Sequence, residues 1–82
     1  MLSNAKEIIE EFIMAAAGMD YLDHEMHIFE EGIVNSLFAI ELMTFLEQEF
    51  EIKIKMDDLD FENFQTVNCI YDFVQRKKEN NG

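Results

Sequence analysis

Apolar residues recur at helical spacing in three stretches of the chain, separated by acidic, irregular segments. In the first stretch Ile8, Ile9, Phe12, Ile13 and Ala16 share one helical face. Asn4 and Glu7 have capping-box spacing, so this helix is expected to start near Ser3 or Asn4. Gly18 is its natural left-handed stop. The second stretch predicts a helix from about Ser36 to Phe50, with Ala39, Leu42, Met43, Leu46 and Phe50 as its core stripe. The third predicts a helix from near Asn63 or Gln65 to about Lys78, because Val67, Ile70, Tyr71 and Val74 follow its i, i+3, i+4, i+7 pattern. Arg76, Lys77 and Lys78 stand at its C-terminal end, where cations complement the dipole. The tail Glu79-Asn80-Asn81-Gly82 is expected to fray.

The connections are patterned too. "GMDYLDHEMHIFEEGIVN" joins the first two helices and is long for a small fold, so apolar members must pin it; Tyr21, Leu22, Ile28 and Phe29 are the candidates. "EIKIKMDDLDFENF" joins the second helix to the third, with a short helical turn expected after Asp57. Phe61, Phe64 and Phe73 read as core or loop anchors, and Phe64 stands where a staple residue would precede the last helix. The expectation is an all-α fold: three main helices plus a short one before the last, as a single domain over residues 1–82.

The second helix carries more apolar residues than one buried face needs. Leu37, Phe38, Ile40 and Phe45 fall outside its stripe, ringed by Glu41, Glu47 and Glu49. Such a surplus predicts a binding face, with packing under the long loop as the alternative.

Composition narrows the function. Eighteen acidic residues stand against six basic ones, a formal net charge of −12. Nucleic acid and anionic membrane surfaces are disfavoured, because both need Lys and Arg; an acidic surface suits basic patches on other proteins. With 82 residues and 49% hydrophobic composition, one small core is expected. The single cysteine, Cys69, permits no internal disulfide and no cysteine-rich zinc site, and no base is at hand to activate it. The start "MLSNAKEIIEEF" lacks the features of a signal peptide, and no apolar run reaches membrane-spanning length, so a cytoplasmic, complete, monomeric protein is expected.

Ser36 is the remaining candidate. A serine at a helix start is usually only a cap. Here Gly32 supplies a flexible turn upstream, and Asn35 can itself cap the helix. The Ser36 hydroxyl is then left free where the helix dipole favours an attached anion such as phosphate.

From Phe29-Glu30-Glu31-Gly32-Ile33-Val34-Asn35-Ser36-Leu37 through Glu41-Leu42 and Leu46-Glu47-Gln48-Glu49-Phe50, the chain resembles the acyl and peptidyl carrier proteins. Helix order, length and acidity extend the resemblance over almost the whole chain. It implies a small four-helix carrier bundle that catalyses nothing. It also implies a 4′-phosphopantetheine arm on Ser36, added by a phosphopantetheinyl transferase from coenzyme A with magnesium, whose thiol holds a substrate as a thioester. The other implied partners are an acyl- or aminoacyl-loading enzyme and downstream synthase or tailoring enzymes. Leu37, Ile40, Glu41 and Glu47 would meet them. The family's usual Asp before the serine is Asn35 here; Asn still caps, but removes a negative charge from the transferase docking site and any role of that carboxylate near magnesium. The motif helix resembles free-standing carriers of specialised metabolism, for unusual malonyl-type units or amino acids, and D-alanyl carriers, more than a fatty-acid carrier. An unmodified acidic adaptor docking basic partners is the alternative of another class.

Two further patterns compete. "DHEMH" brings His24 and His27 near Asp20, Asp23 and Glu25, a conceivable metal set, although a solvated acidic loop reads the same way. "DDLDFE" lacks the glycine and terminal glutamate of a calcium loop.

Overall fold

The structure, a computed structural model, describes residues 4–81. Three α-helices make it up: α1 (Ala5–Ala17), α2 (Ser36–Phe50) and α3 (Val67–Asn81). Two 3₁₀ turns, Met56–Asp58 and Phe61–Phe64, lie between α2 and α3. No strand occurs among the described residues. The expected single short helix is thus split in two. Asp58 and Asp60 divide it: the Asp58 carboxylate accepts the Lys55 amide at 2.9 Å, and the Asp60 carboxylate accepts the Glu62 amide at 3.0 Å, so each turn is closed by its own acid.

In α1 the buried row is Ala5, Ile9 and Ile13, with Ile8 and Phe12 half-buried beside it. Ala16 is exposed, not core; it borders a shallow groove with Ile33, Val34 and Leu37. The Asn4–Glu7 capping box is not made. Asn4 precedes the helix, but its backbone (φ −100°, ψ 5°) lacks the extended conformation of a capping residue and its side chain bonds no amide. Ser3 lies outside the described residues. Gly18 ends the helix at φ +70°, its amide donating to the Met14 carbonyl.

The long connection is pinned by Leu22 and Ile28, both buried, with Phe29 half-buried. The Ile28 amide donates to the Gln65 carbonyl at 3.0 Å, and the Asn68 amide donates to the His24 carbonyl at 3.1 Å. Loop and α3 start therefore fix each other. Tyr21 is not a pin: it is 69% exposed, because in an extended stretch burying Leu22 turns its neighbour outward.

Helix α3 packs against α1, α2 and the second 3₁₀ turn, burying Val67, Ile70, Phe73 and Val74. It starts later than its periodicity suggests. The second 3₁₀ turn occupies Phe61–Phe64, and Thr66 is the cap: its hydroxyl accepts the Cys69 amide at 3.0 Å. Phe64 stands two residues before that cap, so it is no staple; it packs edge-on against Phe73, centroids 5.2 Å apart. The helix also continues to Asn81, past the expected end at Lys78; Gly82 lies outside the described residues. Cys69 is half-buried and free. The three cations near its end reach beyond their own helix. Arg76 Nη2 donates to Asn63 Oδ1 at 3.1 Å, Lys77 Nζ pairs with Asp58 Oδ2 at 2.7 Å, and Lys78 Nζ donates to the Phe50 carbonyl at 3.1 Å. Together they clamp the chain between α2 and α3.

The core row of α2 is Phe38, Leu42, Leu46 and Phe50. Phe38 therefore belongs to the core, and Ala39 and Met43 sit at its edge. The helix is rotated toward α1, where the Phe12 ring stacks on Phe45 (4.0 Å, 10°) and on Phe38 (5.4 Å, 28°). Each such pair adds about 0.5–1.5 kcal/mol beyond area burial.

The serine at the head of the second helix

Ser36 is the first residue of α2 and is exposed. Asn35, in extended backbone at φ −113° and ψ 178°, places its Oδ1 3.0 Å from the Phe38 amide. The cap is thus supplied by Asn35. Ser36 Oγ makes no hydrogen bond among the described residues, and the first-turn amides of α2 have no partner within the helix. Hydroxyl, free amides and the positive end of the dipole coincide there, which suits a phosphate ester.

The turn that delivers this serine is built around Ile28. The Ile33 and Val34 amides donate to its carbonyl at 3.0 and 3.2 Å, and Gly32, at φ +76°, reverses the chain between them. Only glycine takes that conformation without strain.

Of the predicted contact residues, Leu37 and Ile40 are 68% and 60% exposed, and Glu41 is exposed beside them. Their face continues through Thr44 and Gln48. Half of the apolar surplus on α2 therefore faces out, while Phe38 and Phe45 pack inward. Glu47 borders this face but is half-buried, and its Oε2 accepts the Ile54 amide at 2.8 Å. It anchors the chain leaving α2.

On the other side of Ser36 lies a cavity of about 320 Å³, lined also by Phe29, Ala39, Met43, Leu59, Asp60, Phe61 and Phe64. Its outer wall is the segment clamped by α3. Asp58 carries that clamp: its carboxyl is held below the usual carboxylate range, first by the Lys55 amide and then by Lys77. The sequence hinted at this wall only through Leu59 and Phe61, apolar residues in an otherwise acidic stretch. Phe61 is neither core nor buried anchor; half-exposed, it tilts against Phe29 across the cavity, centroids 5.7 Å apart. The two histidines part company: His24 Nε2 lies 3.2 Å from Glu10, and His27 Nδ1 lies 3.5 Å from Glu30. No cluster of metal-ligating side chains occurs among the described residues, and none of the described helices is long and apolar enough to cross a membrane.

A free hydroxyl on a helix N-terminus beside a cavity has the chemistry that a phosphate ester needs. The family model for the phosphopantetheine attachment site matches residues 6–74. The D-alanyl carrier protein of Lactococcus lactis subsp. lactis is 40% identical over 78 residues, covering 93% of this chain and 99% of that protein. The probable acyl carrier protein PigG of a Serratia species is 39% identical over 59 residues, 72% of this chain and 68% of PigG. The D-alanyl carrier protein of Streptococcus sanguinis is 31% identical over 68 residues, 83% of this chain and 82% of that protein. The chain therefore belongs to the phosphopantetheine-binding carrier proteins, non-catalytic proteins that bear 4′-phosphopantetheine covalently on a serine.

Proposed function

We propose that Ser36 is the attachment residue, and that the protein is a free-standing acyl or aminoacyl carrier in specialised-metabolite biosynthesis, for an unusual malonyl-type unit or an amino acid. The observation that carries this reading is the unbonded Ser36 hydroxyl at the head of α2, freed because Asn35 caps the helix. In the attachment step Ser36 Oγ bonds to the β-phosphorus of coenzyme A. The pyrophosphate bridge breaks, adenosine 3′,5′-bisphosphate leaves, and the serine proton passes to a base on the transferase. The bound arm supplies a thiol that holds an acyl group in activated form. This chain supplies the tether and the docking face, raising the effective concentration of the group at each partner.

Leu37 and Ile40 form the apolar centre of that face, and Glu41 its charged rim, for the transferase and the loading enzyme. Glu47, committed to the Ile54 amide, contributes at its border. Names among the relatives support an amino acid or an acyl group as cargo. The alternative, an unmodified acidic adaptor, would use the same face without the hydroxyl.

Incubation with coenzyme A, magnesium and a broad-specificity phosphopantetheinyl transferase should add one phosphopantetheine to the wild type and none to Ser36→Ala. An increment that persists in Ser36→Ala contradicts the assignment, and no increment with several transferases favours the adaptor.

A further inference from the structure

In a chain with 18 acidic residues, the head of α2 carries no charge. No Asp, Glu, Lys or Arg occurs from Gly32 to Ile40. The first turn of α2 holds no acid, whereas α1 has Glu7 in its own. The acids that flank the stretch are Glu31 before it and Glu41, more than one turn down the helix. The cap follows suit. Asn35 Oδ1 accepts the Phe38 amide at 3.0 Å, a bond that an Asp carboxylate makes equally well. Asn35 brings the acceptor without the charge. The Ser36 and Leu37 amides make no hydrogen bond among the described residues, and neither does Asn35 Nδ2.

The missing charge matters because two anions would compete for one helix end. The N-terminus of a helix acts as about half a positive charge, and its effect fades within the first turn. An ionised cap at residue 35 would occupy that end and repel a second anion bonded to the next residue. The arm of a phosphopantetheine-binding carrier is joined through a phosphodiester, which bears one negative charge at neutral pH. Rooted on Ser36, it would be the only full charge in the first turn. Helix end and free amides are left to it.

We infer that Asn35 is a positioning residue for the arm: as a neutral cap it reserves the N-terminus of α2 for the arm's phosphodiester, which becomes the anion that stabilises this helix. The inference rests on Ser36 as the attachment point. Attachment then adds the cargo thiol and also tightens the start of the helix whose exposed Leu37 and Ile40 meet partners. On a chain already at −12, one more negative charge lowers stability through general repulsion, so a gain on attachment is a local effect.

The test compares apo and modified forms of the wild type, Asn35→Ser and Asn35→Asp. Ser and Asp both cap, but only Asp is charged. Each protein is incubated with coenzyme A, magnesium and a transferase. Mass spectrometry confirms one phosphopantetheine, and a chelator removes the magnesium before melting at low salt. Modification should raise the melting temperature of the wild type and of Asn35→Ser by roughly 2–6 °C, and that of Asn35→Asp by about half as much or less. The wild-type gain should shrink as salt is added. Exchange of the Leu37 amide with solvent should slow on modification in the wild type and Asn35→Ser, and less in Asn35→Asp. No gain in the wild type, an equal gain in all three proteins, or a gain lost in Asn35→Ser as fully as in Asn35→Asp would overturn the inference. So would exchange at Leu37 that modification leaves unchanged. Failure of the wild type to take the arm shows earlier, in the mass, and strikes the Ser36 assignment instead.

Discussion

At the scale of single residues, the site depends on a division of labour between neighbours. Asn35 satisfies the helix so that Ser36 does not have to. Asn35→Ala should lower stability by about 1 kcal/mol in urea unfolding, whereas Asn35→Ser should be nearly neutral. Equal stability of Asn35→Ala and wild type would mean that the cap contributes nothing. Glu47 acts similarly on the other end of the helix. Glu47→Ala leaves the Ile54 amide without its partner and should cost about 1–2 kcal/mol; a neutral effect would show that water replaces the carboxylate. The exposure of Leu37, Ile40 and Glu41 was legible because they lie opposite either inner row that helical spacing allows, whereas Ser36 stood out by its motif and not by spacing. The bond from Glu47 was not, since it depends on how the chain folds back seven residues later.

At the scale of elements, α2 was legible to the residue, because its cap, its upstream glycine and its apolar run agree. Its rotation was not. Spacing allows either Ala39–Met43 or Phe38–Leu42 as the inner row, and stacking with Phe12 on a different helix decides it. The start of α3 was misplaced for a comparable reason: Asp60 and Thr66 compete for the chain, and the 3₁₀ turn wins residues that helical periodicity would also accept. The segment between α2 and α3 is held by the clamp from Lys77 to Asp58. The folded-state pKa of Asp58 is depressed below its ordinary 3.8, so its contribution to stability is present above that pH and is lost as the pH falls below it. Asp58→Asn should therefore lower the melting temperature at neutral pH, and the gap to wild type should close in acid below pH 3.8. A gap that is independent of pH would show that the charge is not what Asp58 supplies.

At the scale of the whole molecule, a net charge of −12 on 82 residues governs both stability and encounter. Self-repulsion is screened within a Debye length of about 10 Å at 0.1 M salt, so added salt should raise the melting temperature; a flat response would mean that the charges are spaced too widely to matter. The same field steers basic partners. Glu41→Lys should slow transferase and loading reactions most at low salt, whereas Ile40→Ala should weaken them with little salt dependence. If folded Glu41→Lys reacts as fast as wild type at low salt, the acidic face of α2 is not the docking surface.

Attachment of the arm depends on one hydroxyl. The chain contains two serines, Ser3 and Ser36. Fragmentation mass spectrometry of the protein after co-expression with a phosphopantetheinyl transferase tests the claim most directly. It should find a single phosphopantetheine, with every fragment that retains it containing Ser36. An adduct localised to Ser3, or a protein recovered wholly unmodified beside an active transferase, would contradict it.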